Sequence, residues 1–339
     1  IGICLAYLGV LFLVAWYGDR RPLYPTRAWM RPHVYALALA VYCTSWTFYG
    51  AVGSAATNGF DYLAIYLGPA ILFIVFGGLV RRVVTITHDR NITSIADFIA
   101  SRFGKSQYLA ALVTLIALTA AVPYVALQFK AVAMSLEVLS GTHAVEAGPW
   151  IADGALYVAL LLALFAILFG TRAVDVTEHH HGLMLAIALE SLVKLLAFIA
   201  VGVFAFMLLG DLPTVDPPAM RFDPDGALSI AFLNQTLLAF AAALCLPRQF
   251  QVGAVECENV SDVRTARWAF PAYLALFSLL VLPIVQAGMA LAPAGVHPDR
   301  YVLWLPLHQG AEWLALLAFI GGFSAATGMI IVECVALAT

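Results

Sequence analysis

The sequence predicts an all-α, polytopic membrane protein. Hydrophobic residues make up 63% of the 339 residues and charged residues only 11%, whereas about 25% of a typical soluble domain is charged. The net charge of -3 and the lack of a basic tail argue against a nucleic-acid partner, so the expected partner is the lipid bilayer. Nine apolar segments are long enough to cross a bilayer, which takes about 20 residues. They lie near residues 1–17, 33–56, 60–83, 107–139, 155–171, 181–209, 227–247, 268–292 and 312–339.

The positive charges predict the orientation of these spans. Thirteen Lys and Arg residues, Arg248 among them, fall in alternate loops, and only Arg221 and Arg300 fall in the opposite ones. Because cytoplasmic loops are enriched in Lys and Arg, the N-terminus is predicted to lie outside. Residues 1–17 are interpreted as an extra membrane helix; the alternative, a signal peptide, would need a basic start and a small-residue cleavage site. The chain stops at Thr339 within an apolar run, so we expect it to be C-terminally truncated.

The second span, 33–56, is predicted to be a broken helix. Hydroxyl residues and glycines follow one another from Tyr42 to Pro69 inside an apolar region, and lipid tolerates irregular backbone only where it lines a cavity. A locally unwound helix would present free backbone groups to a solute or an ion. The candidate solute-binding residues are Thr44, Ser45, Trp46, Phe48 and Gly50, with Gln128 from span four and Asn234 from span seven.

A comparable interruption is expected in span seven, 227–247, at Pro247. Four regular spans separate the two broken ones, which is the spacing of an inverted five-helix repeat with one extra helix in front. The predicted organisation is therefore an extra helix at 1–17, a first five-helix repeat at 33–209 and a partial second repeat at 227–339.

Ionisable groups within the spans are candidates for an intramembrane charge or proton path. Glu190 and Lys194 have i,i+4 spacing, so they can neutralise each other on one inward face; a packing pair and a role with substrate or protons both remain open. Lys130 either extends to the interface or belongs to a site. Glu333, near the cytoplasmic end of span nine, is interpreted as a packing or proton-path residue.

Span nine also carries two hydroxyls on one helix face, those of Ser324 and Thr327. Small residues in a membrane helix favour close helix packing, but two hydroxyls at i,i+3 could also supply oxygens to a cation. Elsewhere, the run His179, His180 and His181 does not have the spacing of a metal site, because adjacent helical residues point in different directions. The sequence contains no nucleotide-binding loop or catalytic triad, so no catalytic residue and no cofactor is predicted.

Five segments together carry a family resemblance. They read CTSWTFYGAVGSAATNGFDYLAIYLGP, ITSIADFIASRFGKS, FGTRAVDVTEHHHG, LPRQFQV and FSAATGMIIVE. The chain resembles the sodium:solute symporter family and, more closely, the symporter-like N-terminal region of bacterial sensor histidine kinases of the CbrA type. The resemblance implies a LeuT-like inverted-repeat (5+5) fold, a solute site between the two broken helices, and a cation site between the first broken helix and span nine.

The resemblance also implies individual site residues. The cation would be held by the backbone carbonyls of Ala40 and Cys43 and by the hydroxyls of Ser324 and Thr327. Glu178 falls where the family has an acid at the cytoplasmic exit. Tyr42 and Ala325 stand where transporting members have an acid and a second hydroxyl, so Na⁺ coupling, H⁺ coupling and no coupling all remain open.

From these features we expect the transmembrane input module of a bacterial sensor kinase, in the inner membrane. It would bind, and could transport, a small solute such as an amino acid similar to histidine, and kinase domains would follow Thr339. The alternatives are a stand-alone sodium- or proton-coupled symporter and a purely structural anchor.

Overall fold

A computed structural model describes residues 2–20, 29–140, 181–210 and 229–338, together with Leu160. Within these residues every regular element is helical. Apart from Leu160, the predicted span 155–171 lies outside the described residues, and so does Glu178. The helices are α1 (Gly2–Arg20), α2 (Arg31–Leu39), α3 (Ala51–Asn58), α4 (Leu63–Ile74), α5 (Gly77–Asp89), α6 (Ile95–Arg102), α7 (Gln107–Ser140), α8 (His181–Leu209), α9 (Ile230–Cys245), α10 (Pro247–Phe250), α11 (Val263–Leu291), α12 (Tyr301–His308) and α13 (Glu312–Ala338).

Among the described residues, five helices are long and apolar enough to cross a membrane, or up to seven spans if each of two bent helix pairs counts as one. The prediction of a single helix over 60–83 is wrong, because α4 ends at Ile74 and α5 begins at Gly77. The break is stabilised from another helix: the guanidinium of Arg267 donates two hydrogen bonds, of 3.1 and 2.7 Å, to the carbonyl of Ile74. A hydrogen bond from a side chain stabilises a helix end inside the fold, because it gives the free carbonyl a partner.

The first bent pair joins residues 31–42 to residues 46–74 at an angle of 73°. α2 tightens into a 3₁₀ turn, Cys43 is extended with ψ 98°, and the chain resumes as a π-helical turn from Trp46. Thr44 satisfies part of the exposed backbone, since its hydroxyl accepts from the Trp46 N–H at 3.3 Å, while its carbonyl accepts from the Thr47 hydroxyl at 2.7 Å. Hydroxyl side chains compete with regular helix bonding in this way.

The second bent pair has an angle of 55° between α9 and residues 247–255. Leu246 is extended, with ψ 134°, because the residue before a proline is sterically disfavoured in the helical region. After Pro247 the chain forms α10 and a π-helical turn from Gln251 to Val255. The carbonyl of Gly253 in that turn accepts a hydrogen bond of 2.7 Å from the hydroxyl of Tyr35 in α2, so the two broken helices touch each other.

Helix α13 occupies the centre of the described fold. In its membrane-length window 83% of the residues are buried, and α7, α8 and the first break pack around it. Gly321 and Gly322 make the close approach possible, since a methyl group at Gly321 would lie 2.9 Å from the ring of Phe48 and one at Gly322 would clash with the hydroxyl of Tyr49. The small residues of this helix therefore serve close packing, and α13 brings its polar side chains to the broken helix.

Candidate functional site

The amino group of Lys194 lies on the backbone of the first break. Its Nζ donates hydrogen bonds of 2.7 Å to the carbonyl oxygens of Ala40 and Cys43. The side chain projects from α8, which packs against α2, and the residue is only 2% exposed. The two carbonyls predicted as cation ligands are thus brought together around a positively charged nitrogen of the chain itself.

The carboxylate of Glu190 lies one helical turn before Lys194 and contacts α13. The Thr327 hydroxyl donates to Glu190 Oε1 at 2.6 Å, and the Ser324 hydroxyl donates to the Glu190 carbonyl at 2.9 Å. Gly328 leaves the room, because a methyl group there would lie 2.5 Å from Glu190 Oε2. Both hydroxyls share one face of α13, as expected from their spacing, and in this structure both bind α8.

The extra N-terminal helix reaches the same group of residues. The hydroxyl of Tyr7 in α1 donates to the Ser324 Oγ at 2.8 Å. A chain of hydrogen bonds therefore runs from α1 through α13 to α8. Tyr7 was not among the residues predicted from sequence; a tyrosine in an otherwise apolar anchor was the available signal.

Ser45 and Gln128 hold the first break against α7. The Gln128 Oε1 accepts from the Ser45 N–H at 3.1 Å and from the Ser45 hydroxyl at 2.7 Å. Its Nε2 donates to the carbonyl of Tyr124 at 3.2 Å, and the Tyr124 hydroxyl lies 3.4 Å from the hydroxyl oxygen of Thr44. Three of the predicted solute-binding residues, Thr44, Ser45 and Gln128, are therefore buried together where the helix is unwound.

The remaining predicted residues of the first break differ in environment. The indole of Trp46 is half-buried and covers Gly50, since a methyl group at Gly50 would lie 2.9 Å from the ring. Phe48 is fully buried, with ring centroids 5.2 Å from Phe198 and 6.4 Å from Phe277. Trp46 and Gly50 can thus face a solute, whereas Phe48 forms part of an aromatic core beneath them.

Two predicted residues are not brought to this site. Asn234 is exposed on α9, because α9 packs on α4 through the face that carries Ala239 and Ala243. Lys130 is exposed on α7 and interacts electrostatically with Asp299 in the loop before α12. The expectation that Asn234 binds solute together with the break residues does not fit this arrangement, and Lys130 lies apart from the buried charges.

A buried ion pair, Arg248 with Glu333, completes the polar region. Arg248 Nη1 lies 3.1 Å from Glu333 Oε2, with side-chain exposures of 3% and 2%, and the guanidinium lies over the Tyr124 ring at 4.6 Å from its centroid. Counting Arg248 as a cytoplasmic loop charge was therefore wrong, since the break at Pro247 turns this residue into the fold. Its position directly after that proline was the signal in the sequence.

A protein-family model matches most of the chain. Residues 27–304 match the model described as "Sodium:solute symporter family". The chain belongs to the sodium:solute symporter family. No curated protein matches it. Family membership indicates a role in solute transport and, with the apolar helices, a multi-pass membrane protein. In this symporter-family chain the match covers both breaks, α7 and α8, and it ends before Ser324, Thr327 and Glu333.

An apolar groove on this symporter-family protein lies apart from the polar region. It runs between α8 and α11 and is lined by Gly202, Phe206, Leu280 and Pro283 among others. None of the predicted site residues lines it. The polar groups at the breaks, with their buried charges, are therefore the better candidate for solute chemistry, since a few convergent polar groups fix a small molecule in a site.

Proposed function

We propose that this domain binds a small zwitterionic solute, such as the amino acid histidine, between its two broken helices. In this proposal it serves as the transmembrane input module of a bacterial sensor histidine kinase, with a LeuT-like inverted-repeat fold and its N-terminus outside the inner membrane. The resemblance of the break and α13 motifs to the CbrA-type kinases supports the kinase context. The two bends, at Cys43 and Leu246, support the inverted repeat.

The balance of buried charges favours a solute without net charge. Lys194 and Arg248 are opposed by Glu190 and Glu333, and all four side chains are buried around the first break and α13. At formal charges the region is neutral. A solute with a net charge would leave an uncompensated charge in a low-dielectric interior, which is costly. A zwitterion adds one charge of each sign and preserves the balance.

The uncharged groups at the break suit the polar ends of such a solute. Thr44, Ser45 and Gln128 offer hydroxyl and amide groups that donate and accept, and the half-buried Trp46 provides an aromatic face beside Gly50. Aromatic and polar groups converging at an unwound helix are typical of solute sites in transporters.

Binding can be measured on the purified chain in detergent or nanodiscs by calorimetry and thermal shift with L-histidine, followed by the other natural amino acids. We expect saturable binding of at least one of them, and an affinity about tenfold lower in Ser45→Ala because one hydrogen bond is lost. Asn234→Ala is the matched control, since that side chain is exposed outside the site. If no amino acid binds to folded wild-type protein, the proposal fails.

The kinase context needs a separate experiment. Autophosphorylation of the full-length protein, reconstituted in nanodiscs, is measured with and without the amino acid identified above. We expect its rate to change at saturating amino acid, and Ser45→Ala to shift the response to higher concentration. A full-length protein without phosphotransfer activity would exclude the sensor role and leave solute binding untouched.

A stand-alone symporter is the second candidate, because the family match favours solute transport. Uptake of labelled histidine into proteoliposomes is compared under a sodium gradient, a proton gradient and no gradient. Uptake accelerated by either gradient would favour a symporter. Binding without gradient-driven uptake would favour sensing by occupancy.

A further inference from the structure

We propose that the ammonium of Lys194 is a built-in cation that fills the position of a bound sodium ion, so that the first break is stabilised without sodium. This inference rests on the proposed function for its context, since it concerns the site beside the solute. It assigns a new role to Lys194 and predicts a sodium site that exists only when this side chain is removed.

Two backbone carbonyls converge on the Lys194 amino group. Ala40 and Cys43 lie where α2 ends, and both oxygens point at a single nitrogen 2.7 Å away. The C-terminal end of a helix carries partial negative charge and favours a cation. A lysine ammonium has three donors and no acceptor, so it satisfies two free carbonyls that would otherwise need an ion.

The hydroxyls of α13 in this region have partners of their own. The hydroxyls of Ser324 and Thr327 donate to Glu190 rather than closing around the carbonyls. A sodium ion entering here would also lie next to a fixed positive charge in a low-dielectric interior, where like charges repel strongly. The wild-type arrangement therefore disfavours sodium, because the two carbonyls already bind the Lys194 amino group and that group carries a like charge.

Removing the amino group of Lys194 changes the charge and the bonding of the groups around it. The carbonyls of Ala40 and Cys43 then lose their shared donor, and the Glu190 carboxylate, one helical turn before position 194, loses its cationic neighbour. Carbonyl and carboxylate oxygens are the ligands that hard cations such as Na⁺ prefer. A small monovalent cation restores the charge balance, so Lys194→Ala is expected to create a sodium site.

The test measures sodium directly and needs no solute. Saturable binding of ²²Na⁺, displaced by unlabelled NaCl, is measured on purified wild type, Lys194→Ala, Lys194→Met and the exposed-lysine control Lys130→Ala. In parallel, the unfolding temperature is compared in NaCl and in choline chloride of equal ionic strength. We expect no sodium-specific signal for wild type and Lys130→Ala. Lys194→Ala should bind ²²Na⁺ and gain about 2 °C in sodium at about ten times its dissociation constant.

Two results overturn the proposal: saturable ²²Na⁺ binding to wild type, or folded Lys194→Ala and Lys194→Met proteins that both show no sodium-specific signal. If neither variant folds, the wild-type measurement decides, because bound sodium contradicts a built-in cation and its absence supports one. The proposed function fails separately, by the absence of amino-acid binding to wild type. A protein that binds histidine and also binds sodium would retain the function and lose this inference.

Discussion

Arg248 and Glu333 form an ion pair of 3.1 Å between the second broken helix and α13, and water reaches almost none of either side chain. Tyr124 of α7 covers the guanidinium from one side. The pair therefore ties three elements together at one point: the residues after the Pro247 break, the central helix and the helix that holds Ser45. Either charge left alone in this position is expected to be costly, because it would be buried without its partner.

We predict that removing one partner is far more harmful than removing both. Arg248→Met or Glu333→Leu alone leaves an uncompensated buried charge and should cost about 3–5 kcal/mol of unfolding free energy. The double variant replaces the pair by apolar side chains of similar size and should recover most of that loss. Chemical unfolding in detergent, followed by tryptophan fluorescence, measures all three variants.

Arg264→Met provides the control for this cycle, since Arg264 is an exposed arginine in α11. The substitution should change the free energy of unfolding by at most about 0.5 kcal/mol. A double variant as unstable as the sum of the two single variants would mean that Arg248 and Glu333 act independently.

We predict that Gly68→Ala destabilises the contact of α4 with α9. A methyl group at Gly68 would lie 2.5 Å from the backbone nitrogen of Phe240 and 2.6 Å from the carbonyl oxygen of Thr236. Backbone cannot move aside easily, so the cost should be about 1–3 kcal/mol or more. The unfolding temperature in detergent should fall accordingly.

Gly78→Ala is the matched control, because the same substitution in α5 meets nothing within 4 Å. Replacing glycine by alanine in a helix without steric conflict should raise stability by about 0.5–1 kcal/mol. Equal effects at the two positions would show that glycine flexibility, rather than close helix contact, is the property that matters at Gly68.

The sequence located the two helix breaks because their causes are local. Pro247 disfavours a helical conformation at Leu246, and the hydroxyls of Thr44 and Thr47 replace lost backbone bonds nearby. The shared face of Ser324 and Thr327 followed from helical periodicity in the same way. Features that arise from neighbouring residues and steric rules are within reach of sequence reasoning.

Contacts between helices that are distant in the chain could not be predicted from the sequence. Spacing placed Glu190 and Lys194 on one face but could not say that Lys194 would bind the carbonyl of Ala40, 154 positions away. The burial of Arg248 depends on a glutamate 85 positions away, and the break after Ile74 depends on Arg267. Such partners are set by how helices pack, which a single sequence does not encode in its periodicity.

We predict that Tyr42→Phe is destabilising because it removes the hydrogen-bond donor of a backbone carbonyl that Pro69 cannot serve. Pro69 lacks the N–H that would bond to the carbonyl of Ile65 in α4, and the Tyr42 hydroxyl donates to that carbonyl at 2.9 Å. Without the hydroxyl the partly buried carbonyl loses this partner, at a cost of about 1–3 kcal/mol. Thermal unfolding of Tyr42→Phe is compared with that of Tyr108→Phe, whose ring is 92% exposed. A Tyr42→Phe protein as stable as the control would mean that the carbonyl finds another donor.

Asp299 lies in the loop before α12. Burial raises the pKa of this carboxyl above its ordinary value of 3.8, and the positive charges of His297 and Lys130 oppose the shift. Its neighbours include Gly53, where an added methyl group would clash with the carboxylate. Because the folded protein holds this proton more tightly than the unfolded chain, the stabilisation is complete below pH 3.8 and is lost as pH rises through the raised pKa.

Asp299→Asn removes the titration and should therefore gain stability relative to wild type as pH rises. We expect the unfolding temperature of the variant minus that of wild type to be larger at pH 7 than at pH 4, because only wild type then carries a half-buried charge. Asp89→Asn, at an exposed carboxyl that ends α5, is the control for losing a surface charge. A difference that stays constant or shrinks between pH 4 and pH 7 would contradict the raised pKa and assign the carboxylate a stabilising contact in its charged form.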